Sequence, residues 1–195
     1  MQDSIWDGTL EHFRDRLASL EPVPAGVSAA AVSATMGLGL LVKVLLIAAK
    51  RKDFAGDGEL ASSLVNDARA QSQTLSRLTD EDITAFHQYL DCLRKKQPTG
   101  GALRRAIEVP LNVARAAASG VDLCQRAEGL VHAFVASDLG AASILLRAAV
   151  RAALLTVDCN VRQLPAGDSY RNAVAAEALR LEATIARPEV PLRAR

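Results

Sequence analysis

The chain has 195 residues, enough for one domain with a sizeable core. Half of it is hydrophobic but only 4% is aromatic, so Ala, Leu and Val must fill the interior, which favours close helix packing over a β-sandwich. Lys plus Arg number 23 against 22 Asp plus Glu, and a formal charge of +1 supplies no global field for nucleic acid or an anionic membrane surface.

The three cysteines, Cys92, Cys124 and Cys159, form no CxxC pair. An odd count behind a polar, acidic N-terminus that resembles no signal peptide points to reduced thiols in a cytoplasmic protein. Leu10, Phe13, Leu17 and Leu20 recur at helical spacing and predict a short amphipathic helix over 9–20. Glu21-Pro22-Val23-Pro24 breaks it. Pro24-Ala25-Gly26-Val27-Ser28 then turns the chain, with Ser28 as the expected cap of an apolar helix reaching Ala49. Its small residues, among them Ala31, Ala34, Gly37 and Gly39, allow other helices to approach closely. Lys43 is the only charge before Lys50-Arg51-Lys52 closes the run. The run is long enough to span a membrane. Lys43 and the weakly hydrophobic Ala, Ser and Gly favour instead a buried helix at the centre of a soluble bundle, with no membrane partner.

Asp53 to Gly58 reads as a loop, and a helix follows over 59–78 through Leu60, Leu64, Ala68, Leu75 and Leu78. Thr79 is the expected N-cap of the next helix, with Asp80, Glu81 and Asp82 in its first turn and Arg94-Lys95-Lys96 at its end. After a loop over 97–101 the period resumes, with Pro110 expected to kink the helix or open a new one. Gly120 is expected to separate this from a further helix over 121–136. Ser137-Asp138 opens a second apolar run to Val161, in which Arg147, Arg151 and Asp158 argue against a membrane span. Pro165 and Gly167 stop it, and a last surface helix is predicted over 168–187, with a frayed tail beyond Pro188. No repeat and no clean strand alternation is present. The expectation is an all-α single domain over 1–195, a bundle of about seven to eight helices around the long apolar one.

The common catalytic signatures (P-loop, GxGxxG, HExxH, GxSxG) are absent, and His12, His87 and His132 lack ligand spacing, so no metal is expected. The order of weaker motifs is more informative. A Pro-x-Gly-x-Ser turn opens an Ala-rich helix that closes on Lys-Arg-Lys-Asp-Phe. There follow Asp80-Glu81-Asp82-x-x-Ala85-Phe86, Glu108-Val109-Pro110-Leu111, Ser137-Asp138-x-x-Ala141-Ala142, and Arg151 through Thr156-Val157-Asp158-Cys159-Asn160-Val161. In this order and spacing, over about residues 9 to 165, the chain resembles the cyclodeaminase/cyclohydrolase family. That family comprises the deaminase part of formiminotransferase-cyclodeaminase and the stand-alone methenyltetrahydrofolate cyclohydrolases.

The resemblance implies a helical subunit that forms a homodimer and takes a tetrahydrofolate derivative near the glycine-rich turn. It implies hydrolysis of 5,10-methenyltetrahydrofolate to 10-formyltetrahydrofolate, with formiminotetrahydrofolate cyclodeamination as the alternative reaction and an inactive binding or interaction subunit as a third reading. It nominates Asp82 and Asp138 as the acids that move protons or stabilise a cationic carbon. Gly26, Ser28 and Asn160 are expected to hold the pterin, and Lys50, Arg51 and Lys52 the glutamate tail. Each has a structural reading beside it: an N-cap for Asp138 and Ser28, a first-turn acid for Asp82, a solvated helix end for the lysines, a helix-to-helix hydrogen bond for Asn160. The chain departs from the family pattern at Ala25 and Val27, where glycines are usual, at Val44-Leu45-Leu46 and Thr156, where asparagines are usual, and at His87, a candidate substitute base.

Overall fold

A computed structural model describes residues 4–51 and 56–186. Lys52, the stretch from Asp53 to Ala55, Arg187 and the tail beyond it lie outside the described residues. Within them the chain is all-α, with six α-helices: α1 (Leu10–Leu17), α2 (Gly26–Ala49), α3 (Gly58–Arg94), α4 (Gly100–Ala127), α5 (Ala136–Val161) and α6 (Ser169–Ile185). Short 3₁₀ turns cover Ile5–Asp7, Glu128–Leu130 and Ala133–Val135.

The helices are fewer and longer than expected, and each difference has a local cause. Thr79 does not start a helix. It is buried inside α3 and its hydroxyl donates back to the Leu75 carbonyl at 2.8 Å, while no Gly or Pro interrupts 59–94. Pro110 sits inside α4 without opening a new helix, and Gly120 is an interior residue of the same helix. The helix expected over 121–136 ends at Ala127, where the two later 3₁₀ turns take over. Ser28 is not a cap either: α2 begins at Gly26, and Ala25 at its N-cap provides no side-chain bond. The caps that do operate are Thr9, Asp57 and Asp168, each accepting from backbone N–H groups of the first turn.

Helices α2 to α5 run alternately up and down, each packed on the next, and α5 closes back on α2. Side-chain pairs fix the registers. Ser28 meets Asp82, Lys43 meets Asp138, and Asn160 meets the carbonyl of Ala106. Leu38, Leu41, Val44, Leu64, Ile107 and Leu146 are fully buried between the four. Two glycines mark the closest approaches. A Cβ on Gly37 would lie 3.0 Å from the Ala142 carbonyl oxygen, and one on Gly120 would lie 2.7 Å from Leu146 Cδ2. The small residues of α2 therefore do what their size suggests, at Gly37 on the inward side.

Helix α2 is apolar but forms a corner of the bundle. Its inward positions are covered by α3, α4 and α5, while Met36, Leu46 and Ile47 lie at the surface. By length and composition alone, both α2 and the Ala133–Val161 stretch are long and apolar enough to cross a membrane, the second in spite of its charges. In each, 56% of the apolar window is packed inside the protein.

Helix α1 is shorter than predicted, and its apolar face is only partly covered: Phe13 is half-buried, Leu10 and Leu17 are exposed, and Leu20 lies beyond the helix in solvent. Helix α6 lies across α4 and α5. Arg115 of α4 donates to both carboxylate oxygens of Glu177 at 2.6 Å and also to Glu108, which accepts from the Tyr170 hydroxyl at 2.9 Å. The Arg115 contact holds the Glu177 carboxyl below its ordinary range. All three cysteines are free thiols.

Candidate functional site

The acid triplet of α3 shows how the bundle sorts side chains of one type into different tasks. Consecutive helical residues point about 100° apart, so Asp80, Glu81 and Asp82 face three directions. Asp80 accepts from Ser4 Oγ at 2.7 Å and from the Ile5 backbone N–H at 3.2 Å, and so anchors the N-terminal 3₁₀ turn. Glu81 pairs with Arg105 of α4. Asp82 points towards α2 and accepts a 3.2 Å bond from the hydroxyl of fully buried Ser28. The first-turn reading of Asp82 is therefore overturned, because it lies six turns into a continuous helix and far from the positive end of the dipole.

Burial pushes the Asp82 carboxyl up from 3.8 to about 6, against the smaller lowering effect of the Ser28 bond. A carboxyl poised there is ionised at neutral pH yet close enough to titration to take and return a proton.

The neighbouring turn tolerates its unusual residues. Val23 and Pro24, joined by a cis peptide bond, are buried, whereas Ala25 and Gly26 are exposed. Ala25 is extended, at φ −137°, and Val27 is helical and packed into the core. No residue of the turn needs the left-handed conformation that favours glycine, since the only positive φ values among the described residues are at Lys96 and Gly167. A Cβ on Gly26 would meet nothing within 4 Å. The backbone at Gly26, two residues from Ser28, is thus open from the solvent side, while Val27 packs into the core.

Asn160 stands towards this end of the bundle, half-buried on α5, and its amide donates to the Ala106 carbonyl at 2.8 Å. One of its donors is thereby committed to holding α5 on α4, as the helix-to-helix reading had it.

Asp138 stands elsewhere. It lies in the first turn of α5, where Val135 occupies the N-cap without a side-chain bond, so Asp138 is not a cap. It accepts instead from Lys43 Nζ at 2.8 Å. Fifteen residues of α2 separate Ser28 from Lys43, about 22 Å at the helical rise of 1.5 Å per residue. Within one chain, then, the two nominated acids occupy opposite ends of the bundle. Lys50, exposed at the C-terminus of α2, lies beyond Asp138, at about 33 Å from the level of Ser28. Lys52 is outside the described residues.

Lys43 is the residue that sequence reasoning passed over. The available signal was its isolation as the one charge in the apolar run, which called for a partner. His87 lies on α3 five positions beyond Asp82 and about 140° around the helix from it, so it does not share the Asp82–Ser28 face. No group of three or more His, Cys, Asp or Glu side chains able to hold a metal exists among the described residues. Open grooves along α5 and α6, lined by Leu154, Leu155, Asp158 and Glu182 among others, include none of the nominated residues.

The family model described as formiminotransferase-cyclodeaminase matches residues 9–180, nearly the whole chain. The chain belongs to this family. A methenyltetrahydrofolate cyclohydrolase from Methylorubrum extorquens is 28% identical over 167 residues, covering 80% of each chain. The crystal structure of a formiminotetrahydrofolate cyclodeaminase from Thermotoga maritima superposes with a TM-score of 0.88 over 93% of this chain and 92% of that one, at 22% identity. At that identity the superposition speaks for the fold, and the bundle of this formiminotransferase-cyclodeaminase family member is the shared one.

Proposed function

We propose that this family member is a folate enzyme of one-carbon metabolism that hydrolyses 5,10-methenyltetrahydrofolate to 10-formyltetrahydrofolate. The observation that carries the reading is the Asp82–Ser28 pair beside an open turn, with the carboxyl held near 6. The relative from Methylorubrum extorquens, which bears the name of this reaction, supports it.

In the reaction, water adds to the amidinium carbon between N5 and N10 as Asp82 takes one of its protons. The N5–carbon bond of the resulting carbinolamine then breaks, the proton passes to N5, and the formyl group stays on N10. The second proton of the water leaves to solvent, so one proton is released per turnover. Ionised Asp82 also offers a negative charge to a substrate carbon that begins as a cation. Asp138 is the second acid of this reading, and Gly26, Ser28 and Asn160 line the pterin side. Lys50 and Lys52 receive the acidic tail of a substrate bound by a cytoplasmic homodimer.

The direct test follows binding and decay of 5,10-methenyltetrahydrofolate with purified protein. Saturable binding with decay above the buffer rate is expected, and kcat/KM should fall on the acid side with a midpoint near 6. Absence of both binding and turnover would sink the reading. Release of ammonia from 5-formiminotetrahydrofolate without methenyl hydrolysis would move the assignment to the cyclodeaminase reaction.

Ser28→Ala removes the bond that lowers the Asp82 carboxyl, so the acid midpoint should rise. A hydroxyl bond to an ionised carboxylate, worth about 1.5 kcal/mol at the weak end of its range, moves it by about one pH unit. An unmoved midpoint would mean that Asp82 is not the titrating group.

A further inference from the structure

We propose that α1 is a strap of the substrate site, whose inner apolar face closes on the flat aromatic rings of a folate held at Asp82. The inference rests on the proposed reaction for the identity of that ligand.

Helix α1 stands off the bundle. None of its eight residues is buried, and among the described residues no other α-helix packs along it. Single leucines scattered over a surface need no explanation. Those of α1 are not scattered: Leu10, Phe13 and Leu17 recur at helical spacing on one stripe. Phe13 and Arg16, both half-buried, mark the side of α1 that is turned to the protein. Leu10 and Leu17 flank Phe13 on that side, yet remain 67% and 37% exposed. The inner face of the helix is therefore apolar and only partly covered.

The two ends of the segment are fixed, and their anchors decide what it crosses. Ahead of α1, Ser4 and Ile5 donate to the Asp80 carboxylate, and the indole N–H of Trp6 donates to the Ser76 carbonyl at 3.1 Å. Asp80 is about 3 Å along α3 from Asp82. Behind α1, Arg16 donates to the Val23 carbonyl at 3.3 Å and to Glu21 at 3.1 Å. The chain then enters α2 at Gly26, two residues before Ser28. One anchor is thus on α3 and the other at the start of α2. The segment between them bridges the seam that the Ser28–Asp82 bond closes, so a ligand held at Asp82 lies next to it.

The chemistry of the substrate fits such a face. Its reacting carbon is a cation, which the Asp82 carboxylate meets, whereas its pterin and benzoyl rings are broad and flat. Leucine and phenylalanine side chains gain from covering those rings and from leaving water. Fixed ends and a middle that is not packed let α1 move onto a ligand without disturbing the bundle.

Trypsin reads the position of α1 without turnover, because Arg14 and Arg16 lie within it. The full-length protein is digested with and without saturating 5-formyltetrahydrofolate, a stable analogue that keeps both ring systems. Cleavage after Arg14 and Arg16 should slow about ten-fold or more with the analogue bound. Cleavage after Lys50, at the far end of the bundle, should keep its rate. Unchanged cleavage of α1 with the analogue bound overturns the proposal. So does full resistance of α1 in the free protein, where another copy must then cover it.

Leu10→Ser and Leu17→Ser replace exposed side chains, so the free protein should keep its unfolding midpoint. Each should raise the Kd of the analogue about five- to ten-fold, because the apolar contact is lost from the complex alone. Leu179→Ser, at a leucine of α6 as exposed as Leu10, should leave that Kd unchanged. A Kd unmoved at both α1 positions rejects the strap. If the analogue does not bind at all, the folate reading and the strap fall together. Turnover of methenyltetrahydrofolate by a protein whose α1 stays open to trypsin leaves the reaction standing and removes the strap alone.

Discussion

Asp82→Asn should lower kcat/KM by about 10²- to 10⁴-fold, the usual contribution of a positioned acid–base group, while making the protein more stable at pH 7.5. The two effects have opposite signs for one physical reason. Folding raises the Asp82 carboxyl from 3.8 to about 6, so the folded chain holds this proton more tightly than the unfolded chain does. Between those two values stability falls as pH rises, and above about 6 the full cost of an ionised, half-buried carboxylate is present. A shift of that size corresponds to about 3 kcal/mol. Asn carries no charge, and its carbonyl oxygen can still accept from Ser28, so the variant escapes the cost and keeps the bond. Urea unfolding at pH 7.5 should show the variant more stable by about 1–3 kcal/mol, with the gap closing below pH 4. A variant less stable than wild type at pH 7.5 would make Asp82 a structural acid and remove the observation on which the proposed function stands.

That opposition explains why Asp82 is worth a role beyond packing. An acid kept at a site where its ionisation costs stability is a site where folding and chemistry make different demands. Neighbouring Asp80 and Glu81 carry the same charge about 3 and 1.5 Å along the helix axis, but they are satisfied by Ser4, Ile5 and Arg105. Only the direction of each side chain around α3 tells them apart.

Directions and levels were what the sequence concealed. The all-α class was legible because apolar residues recur at helical spacing in every long segment and no stretch alternates. The boundaries at Thr79, Pro110 and Gly120 were not, because local breakers and caps were weighed without the tertiary partners that overrule them. Thr79 looks like a cap until its hydroxyl is seen bonding Leu75. Ser28 follows a Pro-Gly turn as a cap would, yet α2 starts two residues earlier and the serine is free to meet a carboxylate 54 positions away. The resemblance picked out Asp82 and Asp138, but motif order carries no information on height in the bundle. Height depends on register, and the Lys43–Asp138 contact that sets it spans 95 positions.

Gly120→Val should destabilise the fold by about 3 kcal/mol, at the upper end of what overpacking costs. A glycine in mid-helix ordinarily invites replacement, since a residue with a side chain gains helix propensity of up to about 1 kcal/mol. At this position the space is already occupied: its Cβ would lie 2.7 Å from Leu146 Cδ2 and 3.1 Å from Leu38 Cδ2, and both leucines are fully buried. Here α2, α4 and α5 meet inside the bundle, nearer the Lys43 level than the Ser28 level, so neither leucine can swing into solvent. The mechanism predicts a specific rescue. Leu146→Ala alone should cost about 2–5 kcal/mol through the cavity it leaves, but in the Gly120→Val background the valine occupies part of that cavity. The double variant should therefore be less unstable than the two losses added, with a coupling of about 1 kcal/mol or more in urea unfolding. Strict additivity would show that the glycine is required for the backbone of α4 and not for the contact with Leu146.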